Sequence, residues 1–163
     1  HGDWSVVEHV SVTIDALIDR GISHEWVRHR IGAYTQSSTR FINYAKKMEP
    51  SFILPIGLTS DAKFCWENGI EASIAAYKNL LACGESPQIA RSVFPNSLST
   101  RLVSTYNLRN WRHFLLMRTS KESHPQMRQV TIPLLEEFQS KIPILFEDIV
   151  PLSKQSDNLK KMR

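Results

Sequence analysis

The first stretch of this sequence whose residue types could do chemistry lies between residues 26 and 41. It contains the triplet Arg28, His29 and Arg30, and it ends in hydroxyl side chains and a further arginine, Arg40. Arginine offers forked, permanently charged donors that suit phosphate oxygens, and serine and threonine add short hydroxyl donors. This stretch predicts a site for a phosphorylated, nucleotide-like ligand, and a solvated basic turn is the alternative.

A second group of basic side chains lies downstream, between residues 107 and 128. Arg109 and His113 are four residues apart, so on a helix they would share one face, while Trp111 and Phe114 pack elsewhere. Each arginine taken singly could be a solvated helix residue, but two clusters in one small domain favour a shared anionic pocket. The group consists of Asn107, Arg109, Arg112, His113, Arg118, His124 and Arg128.

The elements that must position these residues are a mixture of strands and helices. We predict strands over 9–14 and 98–106, an extended segment over 52–55, and helices over 24–28, 60–84, 87–94, 108–118 and 126–141. Ser23 is the expected cap of the first helix, the stretch after Arg30 is expected to be irregular, and Pro133 is expected to interrupt the last helix. This mixture predicts an α+β or α/β domain with a sheet flanked by helices.

Length and composition set the class of protein. A chain of 163 residues with 42% hydrophobic and 22% charged residues is typical of one soluble globular domain. No apolar run approaches a membrane span and no secretory signal is visible, so we expect a protein that does not bind membranes. The two cysteines do not suggest a disulfide framework, so we expect a reducing cytoplasm. Cys65 and Cys83 lack metal-ligand spacing, and we interpret both as packing residues. The net charge of +4 suits anionic ligands but does not separate nucleotides from nucleic acid.

The spacing within both basic regions resembles the flavin-dependent thymidylate synthase (ThyX) family. Its signature is an Arg-His-Arg triplet followed, after seven residues, by a serine, which is Ser38 here, with Arg40 two positions further on. Other similar segments follow the family's order. They are Ser5-Val6-Val7-Glu8-His9, Ala90-Arg91-Ser92-Val93-Phe94-Pro95, Asn107-Leu108-Arg109 and His124-Pro125-Gln126-Met127-Arg128. The resemblance runs to about residue 149, and the chain is identified as a member of this family.

The resemblance implies one site for FAD and one for dUMP. The FAD contacts that it implies are Ser5, Arg28, His29, Arg30, Asn107, Arg109, His113 and His124. The dUMP contacts are Glu25, Trp26, Arg28, the stretch from Gln36 to Arg40 (including Ser37 and Ser38), Arg91 and Arg118. Arg118 matches the arginine beside the uracil, where a positive charge favours ionisation at N3, and it is therefore the implied catalytic residue.

The implied reaction methylates dUMP to dTMP. Methylenetetrahydrofolate supplies the one-carbon unit, and FAD reduced by NADPH delivers hydride, in a homotetramer whose sites are shared between subunits. The family requires no cysteine nucleophile. Ser38 has no accompanying base in the sequence, so we interpret it as a binding hydroxyl rather than a nucleophile.

Three features depart from the family pattern. The acidic residue that precedes the signature serine is replaced in the pair Gln36-Ser37, and an early flavin-contacting histidine is replaced by Asp3. Family members also carry a further N-terminal segment, so residues 1–150 are expected to form the domain without it, and 151–163 a polar basic tail. The alternatives are a nucleotide- or FAD-binding relative without activity, and a basic nucleic-acid-binding module.

Overall fold

A computed structural model describes residues 2–40, 42–46 and 48–151 of the chain. Phe41, at the end of the first basic stretch, and the predicted tail beyond Pro151 lie outside the described residues. The strands are β1 (Ser11–Asp19), β2 (Ala33–Gln36) and β3 (Ser99–Asn107). The helices are α1 (Arg20–Trp26), α2 (Ser60–Ala82), α3 (Pro87–Ala90), α4 (Leu108–Arg118), α5 (Pro125–Lys141) and α6 (Pro143–Phe146). Short 3-10 turns occupy Val6–His9 and Arg91–Val93.

The three strands form one sheet in the order β1-β3-β2, so β3 is the central strand. Strands β1 and β3 are antiparallel, because Val10 O accepts from Leu108 N while Arg20 N donates to Leu98 O. Along β3 every second residue is buried: Thr100, Leu102, Ser104 and Tyr106. The mixed α+β class expected from the sequence is confirmed.

The chain forms two compact units. Unit 1 takes its described residues from His1–Ile14, His29–Ala33 and Ser104–Arg163, and unit 2 consists of Asp15–Arg28 and Tyr34–Val103. Strands β1 and β3 each contribute residues to both units. The first basic stretch is therefore divided between the units. His29 and Arg30 belong to unit 1, and Arg28 and the hydroxyl-rich half belong to unit 2.

The core of unit 1 is built from α4, α5 and α6. Trp111 and Phe114 of α4 are fully buried, their ring centroids are 5.5 Å apart, and Trp111 Nε1 donates to Val12 O at 2.9 Å. Helix α5 continues through Pro133, contrary to the predicted interruption. A proline inside a helix costs about 3 kcal/mol or more. Burial of Met127 before it and Leu135 after it offsets that cost.

The core of unit 2 lies between α2 and the segment after α3. Tyr77, the buried residue of α2, stacks on Phe94 with ring centroids 4.7 Å apart, and its hydroxyl accepts from Tyr44 N at 3.2 Å. Cys65 and Cys83 are both exposed, so the packing role predicted for them is wrong. They lie on α2 and at its C-terminal cap, where most side chains are exposed to solvent.

Two local predictions near the signature were also wrong. Helix α1 is capped by Asp19, whose Oδ1 accepts from Ile22 N at 2.7 Å, while Ser23 lies inside the helix and donates to Arg20 O. The segment expected to be irregular contains strand β2, because pairing with β3 overrides the weak local preference. Within the described residues, the helices include none with the length and apolar character to cross a membrane.

Candidate functional site

The middle residue of the Arg-His-Arg triplet contacts the last residue of α4. Arg118 Nε donates to His29 Nε2 at 2.8 Å. The carbonyl of Arg118 accepts from Thr131 Oγ1 of α5, also at 2.8 Å. One contact holds the guanidinium of Arg118 and the other holds its main chain. Together they fix the position of its positive charge.

His29 is the acceptor in this contact because it is neutral. Its ring is half-buried and packs edge-on against Phe114, with centroids 4.8 Å apart, and His113 lies 5.9 Å away. Burial, followed by the positive charges of Arg118 and His113, lowers the pKa of His29 from its usual 6.5 to about 4. At neutral pH the imidazole therefore carries no charge, and its Nε2 can accept.

The segment that carries His29 is held against the start of α4. Asn107 caps α4 through Oδ1, which accepts from Asn110 N at 2.9 Å, and Asn110 Nδ2 donates to Ile31 O at 3.2 Å. Next along the chain, Gly32 lies so close to β3 that a Cβ there would overlap the ring of Tyr106. A side chain at position 32 would push this segment away from the strand.

The other flavin contacts implied by the sequence are polar groups of unit 1, apart from Arg28, which belongs to unit 2. Arg109 forms an ion pair with Glu8, and both side chains are about half exposed. His124 caps α5, since its Nδ1 accepts from Gln126 N at 3.2 Å. Exposed residues of this set are Ser5, Arg30, Arg109, His113 and His124. Their roles toward FAD stay predictions.

Two arginines of the second basic group, Arg112 and Arg128, make contacts within the fold. Arg112 forms an ion pair with Asp148 and donates to Leu145 O at 2.6 Å. Arg128 Nη1 donates to Lys121 O at 2.7 Å and to Ser123 O. The fold itself engages guanidinium donors of both residues, Nη1 and Nη2 of Arg112 and Nη1 of Arg128.

In unit 2, two of the implied dUMP contacts are part of the framework. Trp26 is fully buried. Gln36 Nε2 donates to Ser23 Oγ at 2.9 Å and to Thr100 Oγ1 at 3.2 Å, which joins β2 to α1 and β3. The dUMP contact expected of each stays a prediction, as it does for Glu25, which is half-buried, and for Arg28 and Ser37, which are exposed.

Two of the remaining implied contacts, Thr39 and Arg91, line a cavity of about 310 Å³, here called the Arg91 cavity. Arg91 Nη1 donates to Thr39 Oγ1 at 2.8 Å, and Arg40 Nε donates to Gln88 Oε1 at 3.0 Å. Ser38 Oγ accepts from Arg40 N at 3.2 Å. The polar side chains lining the cavity are Arg20, Thr39, Gln88, Arg91, Ser92 and Asn96, and none of the described lining residues is acidic.

Sequence reasoning assigned no ligand contact to four of these polar lining residues: Arg20, Gln88, Ser92 and Asn96. Gln88 and Asn96 carry no signal by type or spacing. Arg20 does carry a signal. It is the next alternate position after Ala16 and Ile18, which are buried in β1, and a charged residue is unexpected in that series.

Comparison with known proteins relates this arrangement to one family. Residues 1–144 match the family model described as Thymidylate synthase complementing protein. A protein of Mycobacterium sp. (strain KMS) named flavin-dependent thymidylate synthase is 36% identical over 176 aligned positions, which cover 93% of this chain and 68% of that protein. A protein of the same name from Mycobacterium tuberculosis is 33% identical over 165 positions, covering 90% of this chain and 65% of that protein.

Proposed function

Because the chain belongs to the flavin-dependent thymidylate synthase family, we propose that it methylates dUMP to dTMP. Methylenetetrahydrofolate is the one-carbon donor, and FAD reduced by NADPH is the source of hydride. The observation that carries the proposal is the hydrogen bond from Arg118 to His29. It joins the signature triplet to the end of the second basic helix, at the residue that the resemblance places beside the uracil.

Arg118 acts by placing a fixed positive charge at the pyrimidine. A preorganised cation aimed at developing negative charge lowers a barrier without reorganising during the reaction. His29 accepts at Nε2 and stays neutral at physiological pH, so it orients the guanidinium and adds no competing charge. Ionisation of the uracil at N3 is favoured beside such a group, and this activates the ring.

The Arg91 cavity binds the phosphate end of dUMP. Its volume lies at the lower end of the range of small-ligand sites. Arg91 is held by Thr39, which belongs to the signature stretch, and no described lining residue is acidic. A guanidinium in such a cavity makes charge-assisted, directional hydrogen bonds to phosphate oxygens.

Donors suited to FAD lie in unit 1. Arg30, Arg109, His113 and His124 are exposed cationic or ring N–H groups, whose chemistry fits an anionic pyrophosphate. The residues of unit 1 that would hold the cofactor are Ser5, His29, Arg30, Asn107, Arg109, His113 and His124. When bound, FAD supplies the redox chemistry, and these side chains supply orientation and charge.

A homotetramer with shared sites is part of the proposal. Helix α2 is 23 residues long, and Tyr77 is its buried residue, while Phe64 is 64% exposed. A 23-residue helix that buries one residue within its own chain leaves surface on which another subunit can pack. Sedimentation of the purified protein at four times the chain mass is expected, and a monomer at micromolar concentration would contradict this part.

The test of the function begins with an absorbance spectrum of the purified protein, before and after incubation with FAD and desalting. Retained flavin bands, dUMP-dependent oxidation of NADPH, and dTMP identified by mass are the expected results. Protein that retains FAD and binds dUMP without forming dTMP is an inactive relative. Colourless protein that binds polynucleotide with steep salt dependence would favour the nucleic-acid-binding alternative.

A further inference from the structure

Thr131 is a polar residue in an otherwise apolar row on α5. Among the described residues of this helix, the buried ones are Met127, Thr131, Leu135 and Phe138. The side chain of Thr131 is fully buried. A buried hydroxyl without a hydrogen-bond partner costs free energy, and threonine is a poorer helix former than leucine or methionine. Valine has nearly the same shape and needs no partner, so the presence of a hydroxyl here requires an explanation.

The hydroxyl of Thr131 bonds the main chain of Arg118. Thr131 Oγ1 donates to Arg118 O at 2.8 Å and lies 3.0 Å from Met127 O of its own helix. A hydroxyl has one hydrogen to donate, and the Arg118 oxygen is the nearer acceptor. Arg118 is the last residue of α4, and the final four carbonyl groups of a helix have no partner within it. Thr131 therefore supplies, from a different helix, a donor that α4 itself does not provide.

Helix α5 also holds the chain that follows Arg118. Arg128 is three residues before Thr131, so the two are neighbours on the helix surface, and its Nη1 donates to Lys121 O at 2.7 Å. At its other end, Arg118 donates from Nε to His29 Nε2. The charge of Arg118 thus lies between a side-chain contact with His29 and a main-chain contact with α5, and losing either contact would let it move.

We propose that Thr131 is a positioning residue, which holds the main chain of Arg118 so that the guanidinium stays where the uracil is activated. The proposal rests on the proposed function, since it takes Arg118 as the residue beside the uracil. Thr131 touches neither substrate nor cofactor in this role and acts only through Arg118. A displacement of about 1 Å in a catalytic group can lower a rate about 100-fold, so one hydrogen bond behind Arg118 can matter more for turnover than for stability.

The test compares T131V with T131S in the FAD-loaded protein. T131V keeps the branched shape without the hydroxyl, and its kcat for dTMP formation should fall about 10- to 100-fold. The ratio kcat/KM should fall equally, because the lost effect acts in the transition state. T131S keeps the hydroxyl and loses a buried methyl group, so it should unfold more readily than wild type while its kcat stays within about threefold. Both variants should retain FAD.

Titration of His29 by NMR reports the position of Arg118 without turnover. The positive charge of Arg118 lowers the pKa of His29, after burial and together with that of His113. In T131V the guanidinium should lie less firmly against His29, so the pKa of His29 should rise above its wild-type value of about 4. In T131S it should keep the wild-type value, since the hydroxyl is present.

A matched control removes the same kind of bond elsewhere in the chain. Ser73 Oγ donates to Ile70 O at 2.8 Å within α2, which belongs to unit 2. S73A loses this bond from a hydroxyl to a carbonyl. It should change neither dTMP formation nor the titration of His29.

The outcomes separate this inference from the proposed function. Wild-type protein that forms dTMP while T131V forms it at the same rate overturns the role of Thr131 alone. Equal loss of turnover in T131V and T131S would mean that Thr131 is structural, which also overturns it. Lost turnover in T131V with an unchanged pKa of His29 would show that Arg118 has not moved, and this too overturns the positioning role. Wild-type protein that forms no dTMP overturns the proposed function and this inference with it.

A second variant without the hydroxyl covers the case in which T131V does not fold. Alanine is the best helix former and places no methyl group against the carbonyl of Arg118. T131A should lose about as much turnover as expected for T131V, and wild-type kcat in a folded T131A would contradict the proposal. Thermal unfolding of each variant, followed by circular dichroism, establishes that the compared proteins are folded.

Discussion

Units 1 and 2 both contain clustered arginines, but the two units use them differently. In unit 1 the fold engages three of the guanidinium groups: Arg109 pairs with Glu8, Arg112 with Asp148, and Arg118 with the neutral His29. In unit 2, Arg20 and Arg91 line a cavity whose described lining lacks acids.

A basic cluster in a sequence is therefore not by itself an anion site. Arg112 and Arg128 stood out by charge, yet carbonyl oxygens and a carboxylate bind them. Arg20 did not stand out, yet its buried Nη1 has no hydrogen-bond partner in the described part of the chain. The capacity to bind an external phosphate depends on which donors the fold leaves uncompensated, and the predictions below test that distinction.

Loss of Arg118 should have the largest effect, because the neutral His29 orients its guanidinium and the resemblance places this residue beside the uracil. We expect Arg118→Ala to lower dTMP formation by at least about 100-fold, which is typical of removing one preorganised donor. FAD retention should be largely preserved, since the proposed action of Arg118 is on the uracil ring. Equal loss of flavin and activity, measured by absorbance and product formation, would contradict that role.

Two glycines offer a comparison of packing in the two units. Gly32→Ala should destabilise the protein by about 1–3 kcal/mol, because the added Cβ meets the ring of Tyr106 and, at 3.0 Å, the carbonyl of Thr105. Gly69 lies within α2, and no described atom lies within 4 Å of where its Cβ would be, so Gly69→Ala should stabilise by about 0.4–1 kcal/mol. Urea unfolding of both variants measures the two signs, and a stabilising Gly32→Ala would show that the close approach is absent in solution.

Arg109 and Arg112, three residues apart on α4, should separate ligand binding from stability. Arg109 is half exposed, and Arg109→Ala should weaken FAD retention about tenfold, which corresponds to about 1.4 kcal/mol. Arg112 has 18% of its side chain exposed, and Arg112→Ala should lower the melting temperature while the folded protein still retains FAD. Unchanged flavin stoichiometry and affinity in Arg109→Ala would remove Arg109 from the flavin site.

The smallest effect expected at neutral pH concerns His29, whose protonation changes stability only on acidification. The pKa of His29 is about 4 in the folded protein and about 6.5 when unfolded, so between these values the unfolded chain binds a proton that the folded chain does not. His29 therefore lowers stability as pH falls from 6.5 toward 4, and its unfavourable contribution is absent above 6.5.

The measurement is the pH dependence of unfolding for wild type and His29→Gln. Wild type should lose more stability than the variant on acidification through this range, and equal slopes would contradict the low pKa. Titration of the His29 ring by NMR should give the value directly. Arg118→Ala should raise the pKa of His29 only partly, because burial rather than Arg118 is the largest cause of its shift.

Much of the helical framework could be predicted from the sequence, because its signals are local. The predicted helix over 108–118 has the observed bounds, and the helix from Ser60 ends two residues before Gly84. The motif spacing also identified the family, which the matching of residues 1–144 bears out. Local spacing suffices for such features, since helix starts, stops and motifs depend on neighbours in the chain.

Features that depend on distant partners were decided only by the tertiary structure. Strand β2 exists because β3 pairs with it, and Arg112 is structural because α4 lies where Asp148, 36 residues away, can reach it. Arg20 lines the Arg91 cavity only because the fold places it there, together with Arg91 and without a described acid. The sequence determined which residues carry charge, and tertiary packing decided which of those charges remain available, because compensation of a charge depends on groups that are close in space.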